Sequence, residues 1–324
     1  MKNLIKKTNK TLSKSKRFND FKNLVYGYFN RHEKGCNNDV FIFANARGGS
    51  TLLSNVLSVD KDSEEIFEPL NYKRFNNNYT TCEPTYKYIY THPKRRDAIF
   101  SYFDAIFSNK ITPYFPFEIN KFRVKRPKRY VFKFINCKEL MNQFEDRYDV
   151  SVIYFIRNPF ATCLSRINWN WLDYNIRAQY IINHKENAHF FSKELKEYAN
   201  AKLEDGTMFE KFMTAWAIEN YIPLRKLNSD KWLVVSYEEL LLDTTYFINK
   251  INKNTALDIS AEEACERLFY QSNSTSAYTN LKNNNPKYKL DQWKTLITDD
   301  QLAKGNDILK TFDLDVYKDN IFEL

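Results

Sequence analysis

Val40–Leu57 reads VFIFANARGGSTLLSNVL, and this stretch decides the fold because a strand, a turn and a helix follow one another within it. The apolar run Asp39–Ala44 is short enough for a buried strand, and the pattern from Ser50 to Ser58 is helical. A short, wholly apolar strand followed at once by a helix is typical of α/β proteins whose sheet is covered on both faces.

The turn inside this stretch holds two of only six glycines in the chain, Gly48 and Gly49. Paired glycines let the backbone bend tightly and approach a ligand, and the helix N-terminus behind them points free N–H groups at an anion. Ser50 and Thr51 add hydroxyl donors, and Arg47 adds a positive charge. The sequence therefore predicts a phosphate cradle. The alternative interpretation is an ordinary turn with Ser50 as the helix N-cap.

Two common nucleotide-binding motifs do not occur in this turn. A P-loop of nucleotide triphosphatases needs GxxxxGK[ST], with the lysine on the β- and γ-phosphates and a hydroxyl on Mg²⁺. The turn here is shorter, its cation precedes the glycines, and GxGxxG is also missing. His32, His184 and His189 have no metal-ligand spacing, so we expect an anion site that works without a metal ion.

Outward from this stretch, apolar strands alternate with helical patterns. The predicted elements are strand Arg129–Ile135, helix Cys137–Arg147, strand Val150–Ile156, a helix beginning at Pro159, helix Met208–Leu227, strand Trp232–Val235 and helix Tyr237–Asn252. This order predicts an α/β fold with a P-loop-like central parallel sheet and helices on both faces.

A second candidate anion site follows the strand Val150–Ile156. Arg157 stands at the end of that strand, and Ser165 stands eight residues later in the next helix. This spacing brings a guanidinium and a hydroxyl toward one phosphate. Taken singly, Arg157 also fits an ion pair at the sheet edge, and Ser165 fits an ordinary helix hydroxyl.

The two motifs together resemble sulfotransferases that use 3′-phosphoadenosine-5′-phosphosulfate (PAPS). Ala46–Leu53 (ARGGSTLL) is similar to the loop that binds the 5′-phosphosulfate. Among members of the family, this segment most resembles the loop of the carbohydrate-type enzymes. Arg157-Asn158-Pro159 with Ser165 is similar to the motif that binds the 3′-phosphate. The resemblance implies a sulfotransferase-type fold, and it assigns the 5′ end of the donor to Arg47, Gly48, Gly49, Ser50, Thr51 and Leu52.

Three further segments are similar to the same family. The resemblance of Trp232–Leu240 (WLVVSYEEL) places Tyr237 near the adenine of the donor. Trp293 and Lys294 look like a C-terminal segment that closes over the donor. Ser272–Ser276 is a poor match to a loop near the 3′-phosphate. Core packing is the alternative interpretation for Tyr237 and Trp293.

The resemblance implies in-line transfer of a sulfuryl group from PAPS to an acceptor hydroxyl, with release of adenosine 3′,5′-bisphosphate (PAP). Arg47 is suited to the bridging oxygen, and Glu68, in the segment FEPL, is the first candidate base. His92 is the second candidate. Lys133, on the second predicted strand, points either into the crevice or to solvent.

The acceptor is predicted less directly. Insertions at 68–127 and 172–206 are expected to form its site, because insertions at the carboxyl ends of strands wall the crevice of an open α/β sheet. A carbohydrate or glycan hydroxyl is the leading acceptor, and a small-molecule alcohol or phenol is the alternative. Two other classes stay open: a P-loop kinase, which would need Mg²⁺, and a non-enzymatic adaptor that acts through its basic tail.

Residues 1–31 carry nearly all of the net charge of +9, so the rest of the chain is close to neutral. We therefore expect no nucleic-acid partner. The basic segment is either a solvated tail or an element that docks weakly on an anionic membrane surface. We predict a tail at 1–34 and one domain at 35–324. Five scattered cysteines, no signal peptide and no apolar run long enough to span a bilayer favour a cytoplasmic location.

Overall fold

The computed structural model describes residues 38–70, 93–111, 126–169, 173–225, 232–271, 286–314, 316–318 and 321–323. Within them, five strands form one parallel sheet in the order β2-β3-β1-β4-β5. The strands are β1 Asp39–Ala44, β2 Ser63–Phe67, β3 Arg129–Phe134, β4 Val150–Ile156 and β5 Trp232–Ser236. A short antiparallel hairpin, β6 Tyr317–Lys318 and β7 Ile321–Phe322, lies near the C-terminus.

Helices connect the strands and cover the sheet. They are α1 Ser50–Leu57, α2 Pro93–Phe107, α3 Met141–Arg147, α4 Pro159–Asn168, α5 Asp173–Asn183, α6 Lys193–Asp205, α7 Met208–Arg225, α8 Tyr237–Leu242, α9 Thr244–Asn254, α10 Ala261–Gln271, α11 Pro286–Asp291 and α12 Asp299–Thr311. Short 3₁₀ helices occupy Lys138–Leu140, Lys185–Asn187 and Gln292–Thr295. None of these described helices is long and apolar enough to cross a membrane.

The sheet is buried on both faces, as the apolar strands predicted. In β1, Phe41 and Phe43 enter the core shared with helices α2 to α7 and α12, whereas Val40 and Ile42 enter the core shared with α1 and α8 to α11. Successive side chains of a strand point to opposite faces, so a strand covered on both faces has to be apolar throughout. The predicted fold class is confirmed.

The order in which the chain connects the strands determines where the ligand crevice lies. From the central strand β1 the chain crosses to the edge strand β2, whereas from β4 it crosses the other way to β5. In open α/β sheets the ligand site lies at the carboxyl ends of the strands where the connections diverge. Here that point is between β1 and β4, where the residues after Ala44 and Ile156 meet.

Two elements differ from the prediction. Strand β2 was missed, because SEEIF is a five-residue edge strand with three polar residues and has little apolar pattern. The helix predicted over Tyr237–Asn252 is two helices, α8 and α9. Asp243 separates them, since its side chain accepts the N–H of Tyr246 and caps the second helix.

The two predicted insertions contain helices within their described parts. Helix α2 lies in the segment 68–127, and α5 and α6 lie in 172–206. Residues 1–37 and most of 71–125 lie outside the described residues. The division into a basic tail and a single domain therefore stays a prediction, and so does the acceptor role of both insertions.

Candidate active site

The turn after β1 needs both of its glycines. Gly49 has φ +86°, and a Cβ placed on it would lie 2.4 Å from a ring carbon of Tyr237. The N–H of Gly48 donates to the carbonyl of Asn45 (2.9 Å), and a Cβ on Gly48 would lie 2.8 Å from that same oxygen. Real Cβ atoms do not approach so closely, so any other residue would force the turn open.

The helix behind the turn has no side-chain cap. Gly49, rather than Ser50, is the N-cap of α1, and Ser50 is the first helical residue. The first N–H groups of a helix have no partner inside the helix, and here no side chain caps them. They lie at the positive end of the helix dipole, as a phosphate cradle requires. The alternative of a Ser50-capped turn is wrong.

Arg47 joins the two predicted anion motifs. Its Nε donates to Ser165 Oγ (3.0 Å), and its carbonyl accepts from Nη1 of Arg157 (3.1 Å). Its guanidinium lies over the ring of Trp169, 4.8 Å from the centroid. Arg47 has φ +65°, which costs a non-glycine residue about 1–2 kcal/mol. Its surroundings must therefore hold this conformation.

Arg157 and Tyr237 also lie where the two anion motifs meet, and we call this meeting point the Arg47 junction. The guanidinium of Arg157 lies 4.3 Å from the ring centroid of Tyr237, and Tyr237 in turn packs against Gly49. Tyr237 is the first residue of α8, whose start is held by a capping box between Ser236 and Glu239. The Nε of Arg157 is buried and makes no hydrogen bond within the described part of the chain.

A buried carboxyl, that of Glu238, contacts the backbone directly after Arg157. Glu238 accepts the backbone N–H of Asn158 (3.1 Å) and the hydroxyl of Tyr317 (3.1 Å). Burial raises the pKa of Glu238 to about 7, although the N–H of Asn158 and the charge of Arg157 oppose the rise. This carboxyl thus links the second anion motif to the C-terminal hairpin.

Lys133 points into the crevice, which decides between its two predicted orientations. Only 1% of it is exposed, and its Nζ donates to Thr51 Oγ1 (3.2 Å). The same atom lies 3.5 Å from Glu68 Oε1 and 3.2 Å from the ring centroid of Phe67. Glu68 itself has φ +50°, and its N–H donates to the carbonyl of Lys133 (3.0 Å). The structure therefore brings the first candidate base to the edge of the cradle.

A cluster of buried charged and polar side chains lies next to the turn, and the sequence did not predict it. We call Asn45, Lys138, Arg166 and Glu219 the Glu219 cluster; all four are fully or almost fully buried. Burial would raise the pKa of Glu219, but the charges of Arg166, Arg177 and Lys138 outweigh it and hold the pKa at about 2. One signal was in the sequence: Ala215–Ile218 (AWAI) directly precede Glu219 and are all apolar, which indicates that this part of α7 is buried on most sides.

The remaining predicted residues are less tightly placed. The Trp293 ring stacks on Phe160, three residues after Arg157, at 5.2 Å between centroids and 12° between planes. Lys294 forms an ion pair with Asp291 (3.1 Å). Leu52 is partly buried against the core on the α1 side of the sheet. His92 and Ser272–Ser276 lie outside the described residues. The donor contacts expected of Leu52, Trp293 and Lys294 and the base role considered for His92 stay predictions.

Comparison with known proteins identifies the class. The sulfotransferase domain model matches residues 37–318, which include both anion motifs and the whole described sheet. The chain belongs to the sulfotransferase domain family, and the resemblance drawn from its two motifs is confirmed. It is a sulfotransferase, an enzyme of sulfuryl transfer.

Several solved structures are similar to the chain. Mouse sulfotransferase SULT7A1 complexed with PAP is 14% identical, with 90% of this chain and 88% of that chain covered and a TM-score of 0.42. The sulfotransferase domain from the curacin biosynthetic pathway is 15% identical, with 86% and 98% covered and a TM-score of 0.45. Retinol dehydratase in complex with androsterone and inactive cofactor PAP is 15% identical, with 87% and 83% covered and a TM-score of 0.38. No curated protein sequence matches the chain.

Proposed function

We propose that this sulfotransferase takes its sulfuryl group from PAPS and transfers it to an acceptor hydroxyl. The observation that carries the proposal is the contact of Arg47 with both Ser165 and Arg157. PAPS has two anionic ends on one nucleoside, the 5′-phosphosulfate and the 3′-phosphate. A donor of this kind needs two neighbouring anion sites, and the contacts of Arg47 bring the two predicted anion motifs together.

The 5′ end of the donor is assigned to the turn and the start of α1. Gly48 and Gly49 let the backbone approach the phosphate, and the uncapped N–H groups of Ser50 and Thr51 face it. The 3′-phosphate is assigned to Arg157 and Ser165. Ser165 Oγ accepts from Arg47, so its own O–H is free to be donated to an anion.

The transfer step forms a bond between the acceptor oxygen and sulfur and breaks the bond from sulfur to the bridging oxygen. PAP leaves with the electrons of that bond, and the acceptor proton passes to a base, for which we propose Glu68. Negative charge grows on the bridging oxygen as the bond breaks. Lys133 contacts Thr51 at this end of the crevice, and Arg47 directly precedes Gly48 in the same turn. We propose that their positive charges stabilise that oxygen.

We propose a carbohydrate or glycan as the acceptor. Trp169 supports this choice, because its indole lies over Arg47 while 48% of the residue stays exposed to solvent. We propose that this exposed indole beside Arg47 is a platform for the apolar face of a sugar ring. Transfer of labelled sulfate from PAPS to a panel of glycans, small alcohols and phenols tests it. Labelling of small alcohols or phenols alone would contradict a glycan acceptor.

Donor binding separates a sulfotransferase from a kinase. We expect calorimetric titration to show tight binding of PAP in EDTA, with much weaker binding of ADP, which lacks the 3′-phosphate. Tight Mg²⁺-dependent binding of ATP without binding of PAP would contradict the proposal.

A deletion of residues 1–31 separates the enzyme from a basic-tail adaptor. The shortened chain should keep the PAP affinity of the full chain, because the two anion motifs lie in the sheet domain. Loss of PAP binding on deletion would contradict this assignment.

A further inference from the structure

We propose that Glu219 is a positioning residue for the donor, which sets the Arg47 turn through Asn45 and Arg166. This inference rests on the proposed function, because it concerns how the 5′ end of the donor is held. Glu219 lies on α7 and has only 2% of its surface exposed. It acts through its neighbours and belongs to neither anion motif.

Three polar groups converge on one oxygen of Glu219. Nδ2 of Asn45 donates to Oε2 (2.7 Å), Nη2 of Arg166 donates to the same atom (2.8 Å), and Nζ of Lys138 lies 3.8 Å away. These groups come from the end of β1, from α4 and from the 3₁₀ helix after β3. One carboxylate therefore ties together three elements that meet below the cradle.

The cluster holds the backbone that leads into Arg47. Asn45 is fixed by its side chain, and Nε of Arg166 donates to the carbonyl of Ala46 (3.3 Å). The two residues before Arg47 are thus both restrained, and Arg47 itself has the unfavourable φ of +65°. A strained backbone persists only where its surroundings over-determine it. The Glu219 cluster supplies that restraint from below, and Arg157 supplies it from the other side.

A contribution to folding stability does not by itself explain why these charges are buried. Burying a carboxylate with two cations costs much of what their attraction returns, and apolar residues of similar volume are often as stabilising. The charged groups do fix the local geometry, since each hydrogen bond holds one atom at a set distance and angle. Arg166 also adjoins Ser165, so the same carboxylate restrains the residue beside the second anion motif.

Asn45→Ala is the most direct test, because it cuts one of the two links from Glu219 to the turn and leaves Arg166 and Lys138 paired with Glu219. The matched control is Asn187→Ala. Asn187 is also a buried asparagine, and its Nδ2 donates to the carbonyl of Ile181 (2.9 Å). This contact involves neither the turn nor the Glu219 cluster. Both variants remove a buried amide, so both should lower Tm.

The readout is the affinity for PAP set against that for adenosine 3′-monophosphate, which lacks the 5′-phosphate. Both are measured by calorimetry well below the Tm of each variant. We expect Asn45→Ala to lose about tenfold in PAP affinity, the order of one misplaced charge-assisted contact, with unchanged affinity for the monophosphate. Asn187→Ala should keep both affinities. A purely structural role would not select the ligand with the 5′-phosphate.

The outcomes separate this inference from the function on which it rests. If the wild-type chain does not prefer PAP over the monophosphate, the proposed donor site is wrong, and the positioning role falls with it. If the wild type prefers PAP and Asn45→Ala keeps the whole preference, only the positioning role is overturned. If Asn45→Ala does not fold, Glu219→Gln decides: it keeps the side-chain volume, removes the charge that holds Arg166, and should show the same selective loss.

Discussion

Nε of Arg47 lies 3.0 Å from Oγ of Ser165 and donates a hydrogen bond to it, although 118 positions of sequence separate the two residues. The contact joins the turn after β1 to helix α4, and so brings the candidate 5′ and 3′ ends of the donor site together. A ligand that bridges the two motifs would meet residues that already restrain one another.

Arg157→Ala should weaken PAP binding by about 1.5–3 kcal/mol, the contribution of a charge-assisted hydrogen bond. Calorimetric titration measures it. Arg147→Ala is the matched control, because Arg147 also lies over an aromatic ring, that of Phe100 (5.3 Å), and pairs with Asp104 on the surface. Its PAP affinity should equal that of the wild type. Unchanged affinity in Arg157→Ala would refute the assignment of the 3′-phosphate.

Gly49→Ala should lower the free energy of unfolding by about 1–3 kcal/mol and weaken PAP binding as well. The new Cβ would stand at positive φ and collide with Tyr237, so the turn would have to move. Denaturant unfolding and PAP titration measure the two effects. In Gly206→Ala the new Cβ collides with the carbonyl of Lys202 (2.4 Å), so that variant should lose stability while it keeps PAP affinity. Equal PAP affinity in the two variants would show that the turn does not bind the donor.

Glu68→Gln should lower turnover by about 10²–10⁴-fold, the usual contribution of a positioned base, and leave PAP affinity intact. Product formation from PAPS with the best acceptor of the panel measures it. Glu65→Gln makes the same change on β2, where the carboxylate accepts from Ser54, and should keep full turnover. Full activity in Glu68→Gln would pass the role to His92 or to no base.

Glu238 should make the chain less stable as the pH rises from about 4.5 to about 7. Its pKa is about 7 in the folded chain and 4.5 when exposed, so the folded state binds a proton that the unfolded state has lost. The free energy of unfolding should therefore fall by about 3 kcal/mol across this window. Denaturant unfolding at several pH values measures the slope.

Glu238→Gln should flatten that slope, because its amide does not titrate. Tyr317→Phe should extend the fall to higher pH, since the Tyr317 hydroxyl stabilises the ionised carboxylate and its loss raises the pKa of Glu238 further. An unaltered slope in Glu238→Gln would show that another group causes the dependence.

Much of the fold was predictable because burial leaves a local pattern. Strands β1 and β4 are apolar throughout since both of their faces are covered, and this run of residues is visible in the sequence. The turn at Gly48 and Gly49 was equally readable, because the glycines are required by local backbone geometry and close approach. Strand β2 was not, since an edge strand of five residues needs little apolar surface.

The sequence by itself thus determined the family, four of the five described strands of the parallel sheet and the two anion motifs, because each depends on neighbouring residues and their spacing. Only the tertiary structure decided the direction of Lys133, the contact of Arg47 with Ser165 and the burial of Glu219 among cations. These depend on which side chains from distant segments share one volume. A lysine on a strand or a glutamate on a helix has the same local sequence pattern whether it faces solvent or a crevice. Only the packing of distant segments around it determines which of the two it faces.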